Sequence, residues 1–192
     1  MLFRSAADIG FKLAPRLNAA GRLGCARLVV ELLTTQSQEQ AMQLARYLEE
    51  QNSQRQTLER RMVSEARKLI EEQARSEDAA LVLANPGWHA GIIGIVAGRL
   101  VDLYARPTLM IALPSEDARR SLASSARPAG GSEREDGDGR HVRVGVGSGR
   151  SVPGLALHEA LRTCGDLLLS HGGHAAAAGF RLLPILTSSW TR

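Results

Sequence analysis

Ala41, Leu44, Ala45 and Leu48 recur at helical spacing, and after a gap Leu58, Met62, Ala66, Leu69 and Ile70 do the same. Nothing else in the chain constrains its fold as much. Ser37, with Gln40 three residues on, has the form of a capping box and marks the start. The stretch between the two apolar patches, residues 49–57, is polar all round. One helix with this pattern would bridge two packed bodies. Two helices of an antiparallel hairpin, turning near Asn52-Ser53, satisfy the same spacing. The single helix is the expectation; from Ser37 to Gln73 it would run about 55 Å, at about 1.5 Å per residue.

On either side the pattern changes. Residues 9–20 are turn-rich, punctuated by Pro15 and Asn18, and lead into a helix. Residues 25–33 read as a short helix with Leu28, Val29 and Leu32 on its apolar face. Downstream, Ala80-Leu81-Val82-Leu83-Ala84 is a short apolar run of the kind found in buried strands, ended by Asn85-Pro86-Gly87. Residues 91–104 form an apolar helix with Gly91, Gly94, Ala97 and Gly98 at close-packing spacing, and 108–113 a second strand. Such a β-α-β unit favours a parallel pair and a right-handed crossover. A third strand is expected at 142–146, a helix at 157–169 and a last strand at 180–183. Residues 114–140 are rich in Ser, Arg, Gly, Asp and Glu with hardly a large apolar side chain, and read as a mobile surface loop. No pattern is legible beyond Pro184, and there is no internal repeat.

Composition narrows the class. At 192 residues, with 44% hydrophobic and 23% charged, the chain can bury a sizeable core as an ordinary soluble globular protein does. Its 24 Lys plus Arg against 20 Asp plus Glu give a net charge of +4, too small by itself to indicate nucleic acid. Only Lys12 and Lys68 are lysines. An Arg-dominated positive charge suits phosphate recognition and equally a codon bias. Cys25 and Cys164 are too few for a disulfide scaffold, and no Cys-x-x-Cys pair suggests structural zinc. With no run long and apolar enough for a bilayer and no signal-peptide pattern, a cytoplasmic protein without membrane attachment is expected.

Two glycine-rich segments carry the candidate chemistry. Gly147-Ser148-Gly149-Arg150-Ser151 reads as a turn in which the Ser148 hydroxyl, the Gly149 and Arg150 N–H groups and the Arg150 guanidinium could cradle a phosphate. An ordinary glycine turn with a solvated Arg is the plainer alternative. The preceding Gly145-Val146-Gly147 makes only a poor dinucleotide fingerprint. Arg150 stands where its third glycine belongs, and Pro153-Gly154 delays the helix. His171-Gly172-Gly173-His174-Ala175 implies close backbone packing around an imidazole that can donate to a phosphate. His171 and His174, separated by two glycines, are not a helical metal pair. Trp88-His89 sits where a strand ends and a helix starts, a favourable place for an anion, although Trp88 could equally be a core lid. No Asp and His cluster could hold divalent metals, and no Ser-His-Asp or Cys-His arrangement stands out. The acids of Glu133-Arg134-Glu135-Asp136 lie in the loop-like stretch and make poor ligands.

Pro15-Arg16-Leu17-Asn18-Ala19-Ala20-Gly21-Arg22-Leu23-Gly24 resembles the stretch that closes the first domain of the RecJ family, single-strand-specific 5′ exonucleases of the DHH phosphoesterase superfamily. Gly87-Trp88-His89-Ala90-Gly91-Ile92-Ile93-Gly94-Ile95-Val96-Ala97 is similar to the start of the family's second, DHHA1-type domain. Gly147 to Ser151 and Gly172-Gly173-His174-Ala175 resemble that domain's two late motifs. The resemblance implies an α/β protein: the end of a DHH lobe at 1–36, a long linker helix at 37–75, a DHHA1 domain with a small, mainly parallel sheet at 76–185 (including a flexible insert at 114–140), and an irregular tail at 186–192.

It also implies roles. Ser148, Gly149, Arg150, Ser151, Gly172, Gly173 and His174 would bind the phosphate or nearby backbone of single-stranded DNA. His174 would face the active centre in a supporting role, with Asn18 and Arg22 lining it from the other lobe and His89 nearby. The whole family member would hydrolyse single-stranded DNA from the 5′ end, in repair and recombination, with Mn²⁺ or Mg²⁺. The family's metal-binding Asp and His residues, the Asp-His-His signature among them, precede the segment present here. So the resemblance implies that this chain binds no metal, supplies a phosphate-binding lobe, is inactive alone and would partner the missing DHH lobe. The stretch 114–140 is longer than the family usually carries, Ala90 replaces a common proline, and the family's oligonucleotide-binding barrel is not recognisable. Two other readings remain: a non-catalytic DHHA1 binding or scaffold module, and a fragment of a DHH-type oligonucleotide phosphodiesterase.

Overall fold

The structure, a computed structural model, describes residues 5–73, 77–114, 133–135 and 141–183. The expectations for the tail at 186–192 and for most of the 114–140 stretch therefore lie outside the described residues. The chain forms two compact units, 1–60 and 61–192.

Residues 1–60 are helical from the start. A single turn α1 (Ala6–Asp8) runs through a π-helical segment (Ile9–Leu13) into α2 (Ala14–Arg22), where the sequence suggested turns. Pro15 caused that error: it reads as punctuation in the sequence, but the helical run crosses it where the π-helical segment gives way to α2, with the Ala14 N–H bonded to the Ile9 carbonyl. Gly24, at φ 93°, turns the chain into α3 (Ala26–Thr34), which packs against α2. Then α4 (Gln38–Glu72) runs unbroken for 35 residues, about 52 Å. The hairpin alternative is thereby set aside. Its start is half a capping box: the Ser37 hydroxyl accepts from the Gln40 N–H at 3.3 Å, while the Gln40 side chain takes the Thr35 hydroxyl at 2.6 Å instead of reaching back to Ser37. The polar middle of α4 is not all solvated. Gln51 and Asn52 are buried, and the Asn52 carbonyl oxygen accepts two hydrogen bonds from Arg55, which also pairs with Glu59 at 2.6 Å. Arg16 of α2 pairs with Glu49 of α4, and the Cys25 thiol lies 3.3 Å from the Tyr47 hydroxyl. That contact, with lesser help from burial, raises the Tyr47 phenol above its ordinary value.

Residues 61–192 are built on a five-stranded sheet in the order β1-β2-β5-β7-β6. Its strands are β1 (Leu81–Asn85), β2 (Thr108–Ala112), β5 (Gly145–Arg150), β6 (Ser170–Gly173) and β7 (Ala177–Leu182). The expected β-α-β unit is present: α5 (Ala90–Tyr104) joins β1 to β2, and the two strands are parallel. The mixed α/β class holds, but the sheet is mostly antiparallel, not mainly parallel, because every other pairing in it is antiparallel. Among the described residues, β1 and β2 are the only hydrogen-bonded neighbours joined through a helix; α6 lies between β5 and β6, which β7 separates, and the short link between β6 and β7 leaves no room for a helix. The strand expected at 142–146 is split. β4 (His141–Arg143) pairs with β3 (Glu133–Glu135) in a separate two-stranded sheet, and β5 begins at Gly145. The helix expected to reach 169 stops earlier, as α6 (Leu157–Thr163) followed by a 3₁₀ turn (Gly165–Leu167).

Strand pleating divides the core. One face of the sheet carries Leu81, Leu83 and Met110, all buried; α5 packs on it along β2 and β5, with its own Ile92, Ile93, Val96, Ala97 and Leu100 buried too. The opposite face packs Ile111, Ala178, Phe180 and Leu182 with Leu157 and Leu161 of α6. Burial of such aliphatic side chains is worth about 1.5–3 kcal/mol each, and it fixes the register, because a one-residue slip would exchange the two faces.

Candidate nucleic-acid interface

The first glycine segment is not a turn. Gly147 to Arg150 lies inside β5, with β2 on one side and β7 on the other. A strand paired on both edges directs its N–H groups into the ladders, so the expected backbone cradle at Gly149 and Arg150 does not form. The glycines have a packing reason. Gly145, Gly147 and Gly149 share the face towards α6; a Cβ at Gly147 would stand 2.2 Å from the Phe180 ring, and one at Gly149 2.7 Å from Leu157. A period of two among those glycines was the readable sign of a strand.

Pleating sends Ser148 and Arg150 to the other face, towards α5. The Arg150 side chain runs back past its own strand. Its Nη1 donates to the Ser148 hydroxyl at 3.3 Å and to the Gly149 carbonyl at 2.8 Å. Both side chains are half-buried. A hydroxyl and a guanidinium held side by side are thus the local chemistry that β5 offers an anion.

The second glycine segment is mostly an edge strand. His171, Gly172 and Gly173 belong to β6, exposed throughout and paired only with β7. Gly173, at φ 146°, turns the chain; a Cβ there would meet the Ala177 carbonyl at 2.4 Å. His174 follows, exposed, with its N–H donating to the Ala177 carbonyl at 2.8 Å. The two segments meet at one end of the sheet. Arg150 is in register with Ala177, the Ser151 N–H donates to the Ala176 carbonyl, and the Leu157 N–H to that of Ala175. The Ser151 hydroxyl is turned to the Leu155 carbonyl at 2.8 Å.

His89 stands at the opposite end of the sheet from the Arg150 backbone, although it caps the helix whose Gly94 the Arg150 guanidinium meets. It follows β1 at the end of the sheet where Asn85 pairs with Ala112 and Ala112 with Val146. Its Nδ1 accepts from the Gly91 N–H at 3.1 Å and caps α5, so an anion would have to displace it from that helix start. Trp88 is the core lid, 4% exposed, with its indole N–H donating to Glu65 at 3.0 Å. The same carboxylate accepts from Arg61 at 2.7 Å and raises that guanidinium above its ordinary value. Asn18 and Arg22 stand a turn apart on α2 and, with Leu17, Gly21, Ala26, Val29 and Val30, line an open depression of about 550 Å³. Sequence reasoning passed over His158 on α6, whose Nδ1 is buried without a hydrogen-bond partner among the described residues. No three His, Cys, Asp or Glu side chains among the described residues group so as to hold a metal ion.

No family model matches the chain. Among curated proteins it is 36% identical over 174 residues to the single-stranded-DNA-specific exonuclease RecJ of Bacillus subtilis, covering 91% of this chain, and 40% identical over 185 residues to that of Dickeya dadantii, covering 93%. The crystal structure of Thermus thermophilus RecJ in complex with Mg²⁺ matches 97% of the chain at 35% identity with a TM-score of 0.73. The chain is homologous to a segment of RecJ. It spans 19% of the Bacillus RecJ and 28% of the Dickeya RecJ. A RecJ structure bound to manganese matches over 97% of the chain and 39% of its own length, with a TM-score of 0.71. No helix among the described residues is long and apolar enough to cross a membrane.

Proposed function

We propose that this chain is part of a RecJ-type exonuclease that hydrolyses single-stranded DNA from the 5′ end in DNA repair and recombination, and that its 61–192 unit binds the terminal phosphate or the adjoining backbone. The observation that carries the reading is the Ser148–Arg150 pair, hydroxyl and guanidinium 3.3 Å apart on one face of a central strand. A guanidinium whose Nη1 already bonds two neutral oxygens has less side-chain entropy left to lose. A phosphate oxygen is a stronger acceptor than either of them.

The relatives solved with Mg²⁺ or Mn²⁺ point to a metal-dependent whole enzyme. The described residues do not fit that metal, so no hydrolytic step is assigned to them. In this proposal the ligands come from the part of RecJ that the chain does not span, the lobe carries no activity by itself, and the whole enzyme works in the cytoplasm. The same missing part would cover the apolar side chains that residues 1–60 expose, Phe11 at 82%, Leu33 at 67% and Val30 at 61%.

The test is fluorescence anisotropy of a labelled single strand carrying either a 5′ phosphate or a 5′ hydroxyl. The wild-type chain is expected to favour the phosphate, and its affinity to fall linearly with the logarithm of salt concentration. Arg150→Ala is expected to weaken binding of the phosphorylated strand about tenfold, equivalent to about 1.4 kcal/mol, and to leave the hydroxyl strand nearly unchanged. Equal losses on both strands overturn the terminal-phosphate assignment and make the adjoining backbone the group that Arg150 meets.

A further inference from the structure

Glycine is the poorest helix former after proline, yet α5 keeps two of them a turn apart in its interior, Gly94 and Gly98. The helix is otherwise apolar where it meets the sheet, with Ile92, Ile93, Val96, Ala97 and Leu100 buried. What lies over the glycines is polar. A Cβ at Gly94 would stand 2.8 Å from the Ser148 Oγ, 3.1 Å from the Arg150 Nη2 and 3.6 Å from its Cζ. A Cβ at Gly98 would stand 4.0 Å from the Arg150 Cγ, an ordinary contact. The guanidinium end therefore lies against Gly94 and the aliphatic stem against Gly98.

We infer that Gly94 is a positioning residue, its missing Cβ setting the place of the Arg150 guanidinium beside the Ser148 hydroxyl. The inference rests on the proposed function only for its consequence in DNA binding; the placement itself is a matter of space. The crowded Ser148 Oγ is itself an atom of the hydrogen bond, and the crowded Arg150 Nη2 sits on the same guanidinium as the Nη1 that donates it. A methyl group at 94 forces the Ser148 Oγ, at 2.8 Å, to shift and crowds the Arg150 Nη2, at 3.1 Å, so the two side chains cannot keep their present arrangement. Side chains turned aside in this way present a different geometry to an anion without any loss of charge. That separates the effect from that of Arg150→Ala, which removes the charge.

The test uses the full chain and three readouts. In Gly94→Ala the preference for 5′-phosphorylated over 5′-hydroxyl single strand is expected to fall at least fivefold, with binding of the hydroxyl strand within twofold of wild type. Gly98→Ala is expected to keep the preference within twofold. The Arg150 Nε–Hε NMR resonance is expected to move in Gly94→Ala and to stay in Gly98→Ala. On the Arg150→Ala background, adding Gly94→Ala should change the preference no further. An Arg150 resonance unmoved by Gly94→Ala overturns the inference. A wild-type chain with no phosphate preference overturns the terminal-phosphate reading of the proposed function instead, and the resonance still decides the positioning. Should Gly94→Ala fail to fold, the variant that also carries Ser148→Ala and Arg150→Ala is expected to fold, because what the new methyl would meet is gone. If that variant stays unfolded, the space at Gly94 serves something else and the inference falls.

Discussion

The two glycine-rich segments look alike on paper and are unlike in the fold. Gly145 to Arg150 is a central strand whose glycines make room for other side chains, Phe180 and Leu157 above all. Ser170 to Gly173 is an exposed edge strand held by one ladder, and only its last glycine is required by the backbone. The lesson is that glycine can be selected for absence of volume or for freedom of φ. The two causes leave different signatures: a period of two facing a packed core in one case, a single position at a turn in the other.

That contrast can be broken by adding one methyl group at a time. Gly147→Ala is expected to cost the most, about 3 kcal/mol, because ring atoms of buried Phe180 occupy the space. Urea unfolding followed by circular dichroism measures it, and a loss below about 1 kcal/mol would mean that the core face of β5 is loosely packed. Gly173→Ala should cost about 2 kcal/mol. Its φ of 146° and the Ala177 carbonyl at 2.4 Å both oppose a side chain, but the hairpin end is exposed and has room to shift. Gly172→Ala should be smallest, within about 0.5 kcal/mol of wild type, since nothing lies within 4 Å of the new Cβ. A large loss at 172 together with a small one at 147 would invert the comparison.

How much of this was legible depended on how local the signal was. α4 was readable because its periodicity is long and its start is marked by Ser37. The β1-α5-β2 unit was readable because apolar runs of different period follow one another. β6 was not: Ser170, His171, Gly172 and Gly173 have no apolar alternation, and the strand exists only through its ladder with β7. The sheet's mostly antiparallel sense was hidden because it depends on which distant strands pair. For the candidate site, the residue types at 148 and 150 could be read as phosphate-binding, but the segment's shape was misread, because Gly145, Gly147 and Gly149 read as turn residues and their period of two was passed over. That α5 would leave space for Arg150 needed β5 and α5 to be seen together. Its glycines announced close packing without naming the partner.

The order β1-β2-β5-β7-β6 has a consequence for how the molecule assembles. The middle strand is delivered late, after the chain has left Ala112 and returned at Gly145. The entropy of closing that excursion rises only with the logarithm of its length, about 0.6 kcal/mol per doubling. Lengthening or trimming the connection between the two halves of the sheet should therefore alter the rate at which the halves find each other more than it alters the final equilibrium.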